Sequence, residues 1–124
     1  MTVEVLRAKY GPPNGSKFTI SPGFEIVVEY EPDGRVRRME FPGTAPDATG
    51  ASTAQRVDEV LLELVPMSMR GKEIGSGQWR NPYRTKHTRY EHVILIEVED
   101  PWVLDQRRSL TVLFREHYQS TSTS

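Results

Sequence analysis

The strongest constraint in this chain is an alternation that only an extended backbone can use. Phe24, Ile26, Val28 and Tyr30 take every second position, and Glu25, Val27, Glu29 and Glu31 fill the positions between them. Successive side chains of a strand point to opposite faces, so this run puts its large apolar groups on one side and most of its charge on the other. Pro32-Asp33-Gly34 follows, with a preset φ, an Asp able to bond its own turn and a Gly for the left-handed position. The return strand spans 35 to 41. Val36 is out of phase with Met39 and Phe41, which predicts a bulge near Arg37 and Arg38. Arg35 and Arg37 are expected to meet Glu29 or Glu31 across the ladder.

Other elements read less strongly. Residues 3 to 9 suit a short helix with Val3, Leu6 and Tyr10 on one side, ended by Gly11-Pro12-Pro13. Phe18, Thr19 and Ile20 suit a strand. After a Gly/Pro-rich linker from 42 to 51, Ser52 with Gln55 forms a capping box, and Val57, Val60, Leu61 and Leu64 repeat at helical spacing until Pro66. Thr88 to Val98 reads as one long strand, apolar on both faces at Val93-Ile94-Leu95-Ile96 and therefore central. Leu110, Val112 and Phe114 mark a last strand, and Trp102 is expected to pack over an edge.

The expected fold is α+β with two layers: an antiparallel sheet of four to five strands and one main helix, 52 to 65, packed on one face. The order is ββαββ-like after a short N-terminal helix. The helix should bury its stripe against Phe24, Ile26, Val28, Ile94 and Ile96. A length of 124 residues supports a single domain, 1 to 118, before a Ser/Thr tail from 119 to 124.

Composition bounds the chemistry. Cysteine is absent, which excludes disulfides, thiolate metal sites and thiol nucleophiles. The formal net charge is -1, so no whole-molecule field draws the chain to nucleic acid, and binding of that kind is disfavoured. No apolar run approaches the roughly 20 residues of a membrane span, and Met1-Thr2-Val3-Glu4 does not open a signal peptide. A soluble domain is expected, with its compartment open and export after loss of a leader among the alternatives.

One stretch stands out as a binding candidate. From Arg70 to Arg89 the chain carries Arg70, Lys72, Arg80, Arg84, Lys86 and Arg89 against one acid, Glu73, interleaved with Trp79 and Tyr83. Its glycines and Pro82 predict a long loop. Cations beside aromatic rings suit an acidic protein or another anionic partner. The competing reading is a solvated loop whose Trp79 folds into the core and whose arginines pair with Glu97, Glu99 and Asp100.

A second class of reading is a small enzyme or ligand-binding protein with a pocket between helix and sheet near Tyr90, Glu91 and His92. Strand alternation puts Tyr90 and His92 on one face and His87, Arg89 and Glu91 on the other, as a solvated strand also would. His87 and His92, five residues apart, do not share a face, and His117 is remote, so no metal site is expected. Gly71 to Gly77 contains a Gly-x-Gly, but it follows a helix rather than a strand, and no cofactor motif is present. The charged strand face around Glu25, Glu29 and Arg37, or the Trp102 edge, could instead carry a homodimer; neither has a sequence signature.

Two further patterns carry a resemblance. Leu6-Arg7-Ala8-Lys9-Tyr10-Gly11-Pro12-Pro13, Pro22-Gly23, Tyr30 before Asp33-Gly34, and Leu64-Val65-Pro66 before Arg70-Gly71-Lys72 together resemble a family of small uncharacterised bacterial proteins, usually exported. The opening Leu-Arg-x-x-Tyr-Gly-x-Pro also resembles the small lipoproteins of outer-membrane assembly. Neither resemblance implies an activity.

Overall fold

The alternating run folds as expected, but into a larger sheet. A computed structural model describes residues 1–22, 24–43, 54–79, 84–99 and 107–115. In chain order these form α1 (Val3–Tyr10), β1 (Lys17–Ser21), β2 (Phe24–Tyr30), β3 (Val36–Phe41), α2 (Ala54–Leu64), α3 (Met67–Arg70), β4 (Glu73–Trp79), β5 (Thr85–Tyr90), β6 (Val93–Glu99) and β7 (Arg107–Phe114). Among the described residues the seven strands make one antiparallel sheet, ordered β1-β2-β3-β7-β6-β5-β4. The expected sheet of four to five strands with one main helix is therefore wrong. The protein is mostly sheet, and the helices among the described residues are short, with eight, eleven and four residues.

Two misread segments account for the difference. The stretch expected to be a glycine-rich loop is β4, paired with β5 from Glu73↔Tyr90 to Trp79↔Thr85. The single strand expected from 88 to 98 is two strands, β5 and β6, joined at Glu91 and His92. As a result the central position belongs to β7, between β3 and β6. Every pairing is between strands consecutive in sequence except β3 with β7, which runs from Arg38↔Leu113 to Phe41↔Leu110. That ladder joins two meanders, β1–β3 and β4–β7.

The core lies on one face of this sheet. Phe24, Ile26 and Val28 of β2 are buried with Met39 and Phe41 of β3 and Leu110, Val112 and Phe114 of β7. Val3 and Leu6 of α1 join the same cluster, as do Val57, Val60, Leu61 and Leu64 of α2. Tyr10 packs against it partly buried. Lys9 forms an ion pair with Glu63, which ties α1 to α2. The β6 expectation needs correction: Val93 and Leu95 are the core residues, while Ile94 and Ile96 are half-buried on the opposite face. Alternation allows only one parity inward, and Ile94 is in register with Leu113 and Arg89, whereas Leu95 opposes buried Val112.

The expected bulge is present. Glu29 opposes Arg38 while the next residue, Tyr30, opposes Val36, so Arg37 is the extra residue on β3. The capping box at Ser52, the Trp102 edge, Asp100, His117 and the 119–124 tail lie outside the described residues.

Leu61 and Leu62 are chain neighbours with opposite surroundings, 6% and 54% exposed. In denaturant unfolding, Leu61→Ala is expected to cost about 2–5 kcal/mol, and Leu62→Ala to stay within about 0.5 kcal/mol.

Candidate functional site

The β4–β5 hairpin ends the sheet, and burial fades across it. On the core face Leu95 is in register with Thr88 and Ser76, and Glu97 with Lys86 and Gln78. Leu95 is buried and Thr88 half-buried, while Ser76, Gln78 and Lys86 are exposed. The opposite face carries Arg89 beside Gly75 and His87 beside Gly77. Polar residues thus occupy both faces of this end, a pattern expected of a strand pair extending past its covering layer.

The glycines of β4 have a steric role. A Cβ on Gly77 would stand 2.6 Å from His87 Nε2, and one on Gly75 would stand 2.9 Å from Arg89 Nη2. The ends of the Arg89 and His87 side chains therefore lie across β4 at Gly75 and Gly77. Glycine is depleted in strands, so Gly75 and Gly77 point locally to a loop, and only the pairing with β5 makes this segment a strand.

The structure separates the eight basic and aromatic candidates. Arg70, the last residue of α3, is 5% exposed and is not a surface contact. Its Nε donates to the Val65 carbonyl at 2.8 Å, its Nη1 lies 3.5 Å from the Tyr90 hydroxyl, and its guanidinium sits 5.4 Å from the Tyr90 ring centroid. Arg84 is exposed and paired with Glu99 at 3.3 Å, as the solvated reading expected for an arginine of this stretch. Lys72, Lys86 and Arg89 are exposed and make no ion pair with a described carboxylate. Trp79 closes β4, but its side chain, like Arg80 and Tyr83 entirely, lies outside the described residues.

The two candidate groups meet at one corner. Glu91 N–H donates to the Lys72 carbonyl and His92 N–H to the Arg70 carbonyl, both at 2.9 Å. Glu91 Oε1 accepts from the Lys72 N–H at 2.7 Å. This staple holds the α3–β4 turn against the β5–β6 turn. Because Glu91 and His92 form the turn, the strand alternation expected to pair Tyr90 with His92 does not apply to them. Tyr90 is buried beneath Arg70, whereas Glu91 and His92 are exposed. Among the described residues no group of three His, Asp or Glu side chains is placed to hold a metal.

Gly71 sits inside the staple with φ of 80°, and a Cβ there would stand 2.9 Å from Glu91 Cβ. Gly71→Ala is expected to cost about 1–3 kcal/mol through left-handed backbone strain alone, read as a lower denaturation midpoint.

Two other surfaces carry polar groups. A depression of about 360 Å³ lies on the far face, lined by Lys17, Glu25, Val27, Glu40, Phe41, Pro42, Gly43 and Ser109. It is well away from Tyr90, Glu91 and His92. The charged face of β2 and β3 is internally matched: Arg37 reaches Glu29 at 3.1 Å and Glu31 at 3.7 Å, and Arg38 bonds Glu29 and lies 3.5 Å from Glu40. Arg35 instead pairs with Asp33 in its own turn, at 2.8 Å, where the same carboxylate also accepts from the Arg35 backbone N–H. The Arg38 hydrogen bond, assisted by Arg37, holds the Glu29 carboxyl below its ordinary value of 4.5. Its contribution to stability is complete above pH 4.5 and is lost as pH falls through the lower native value. Glu29→Gln should therefore flatten the acid limb of a stability–pH curve and leave its slope near pH 7 unchanged.

No family model, no curated protein and no solved structure matches the chain. The resemblance noted in its turns and caps therefore stands on those residues alone. Among the described residues no helix is long and apolar enough to cross a membrane.

Proposed function

We propose that this protein is a non-catalytic binding module that engages an acidic partner through the β4–β5 end of its sheet. The observation that carries this reading is the set of three exposed cations, Lys72, Lys86 and Arg89, without carboxylate partners among the described residues, on a hairpin polar on both faces. On β2 and β3, by contrast, the charged face is neutralised within itself. Glu73, Glu91 and Glu97 share this end of the sheet, so the reading rests on where Lys72, Lys86 and Arg89 are placed rather than on a net positive field. The reading of Tyr90, Glu91 and His92 as a reactive group is less supported, since Arg70 covers Tyr90 and the Glu91 carboxylate accepts a backbone N–H.

Poly-L-glutamate serves as the probe, titrated at two salt concentrations. Reversing Lys86 and Arg89 together to Glu should weaken binding by about tenfold or more, and salt should weaken the parent protein. Lys17→Glu, the same kind of change at the far edge, should have little effect. Equal losses at both edges, or none, would remove the proposal.

A further inference from the structure

We propose that the acidic partner binds as an added strand along the open edge of β4. The ligand would be an extended peptide carrying two carboxylates three residues apart; this inference rests on the binding reading above. The unresolved feature of that reading is that its cations do not share a face. Lys86 lies on the core side of the sheet with Gln78, and Arg89 lies on the other side with Gly75. A partner resting on one face meets only one of them. A strand in the plane of the sheet sends alternate side chains to both faces and meets both.

The edge itself suits this. β4 pairs with β5 on one side, and no described strand pairs with it on the other. An edge strand presents a row of backbone donors and acceptors to any extended chain, and proteins commonly protect such edges with Lys, Pro or bulges. The two ends of this sheet differ in that protection. β1 is five residues long, begins at exposed Lys17 and is preceded by a turn closed by an Asn14↔Lys17 bridge. β4 is seven residues long, with Gly75, Ser76, Gly77 and Gln78 in its middle and no Lys or Pro. Its one bulge is at Ile74, which is 52% exposed and leaves 75 to 79 in unbroken register with β5.

A small residue on β4 makes Arg89 reachable, while Lys86 has to extend past the Gln78 side chain. An added strand would lie two strand spacings from β5, about 10 Å, and a bulky edge residue would stand between. At Gly75 nothing stands there, and the Arg89 guanidinium already lies across it, with Nη2 2.9 Å from where a Cβ would be. The register then sets the motif. Arg89 opposes Gly75 and Lys86 opposes Gln78. These β4 positions are three residues apart, an odd separation that puts the matching peptide side chains on opposite faces. Acidic residues at i and i+3 fit, whereas acids at i and i+2 would both fall on one face.

The test uses the full chain, isotope-labelled, with three capped octapeptides of Thr, Val and Glu: one with Glu at i and i+3, one with Glu at i and i+2, and the first with alternate backbone nitrogens methylated. The expected result is binding of the first, at least about fivefold weaker binding of the second, loss of binding on methylation, and slowed exchange of alternate β4 amides between Gly75 and Gln78. Equal binding of the methylated peptide, or unprotected β4 amides in the bound state, overturns strand addition. If poly-L-glutamate still depends on Lys86 and Arg89 in that case, the binding reading survives; if the polymer also fails to bind, both are lost. Protection of β4 that grows with protein concentration without peptide assigns the edge to a second copy and likewise overturns the proposal.

Discussion

The ladder between β3 and β7 is the constraint on which the rest of the structure depends. Each other strand pair joins neighbours in sequence and closes a short loop. The β3–β7 pair instead brings Phe41 opposite Leu110 and Arg38 opposite Leu113. Closing so long a loop is costly in entropy, although the cost grows only slowly with length. What offsets it is burial: Met39 and Phe41 on one strand and Leu110 and Val112 on the other lose contact with water together. Without that ladder there would be two small meanders, each with an extra open edge and half of a core.

The same arrangement explains why the described helices leave one end of the sheet uncovered. Seven strands span six spacings, about 29 Å, while the eleven residues of α2 extend about 16 Å. Even laid directly across the strands, such a helix covers little more than half the width. Its apolar stripe shares the core with α1 and the strands around β2 and β7. Toward β4 the core face passes through half-buried Thr88 to exposed Ser76 and Gln78. The arginine at the end of α3 marks the limit, since Arg70 closes over Tyr90 and beyond it Ser76, Gln78 and Lys86 on one face and Arg89 on the other are exposed.

Legibility in the sequence varied with the range of the interactions. The β2 strand, its turn, the bulge at Arg37 and the stripe of α2 were readable because their signals lie within a few residues of one another. The β5–β6 turn was not, because Glu91 and His92 lack the Gly or Asn that usually marks a tight hairpin. Here the turn is held by a segment distant in sequence, through the Lys72 and Arg70 carbonyls. The candidate site was half legible. Its cations could be counted, but whether Arg70 was a surface contact and whether Lys86 and Arg89 shared a face depended on a register that no local pattern contained.

The chain's own residues determined where the backbone extends, where it turns, which helix face is apolar, and that thiol chemistry and any strong overall field are absent. Those properties belong to single side chains or near neighbours. Tertiary structure alone decided that the described residues form seven strands, that β7 is central among them, that Val93 and Leu95 rather than Ile94 and Ile96 face the core, and that the glycine-rich segment is an edge. The physical reason is that a strand is completed by its partner: backbone groups of β4 find theirs on β5, and the Arg89 and His87 side chains come to lie across Gly75 and Gly77 only once that pairing is made.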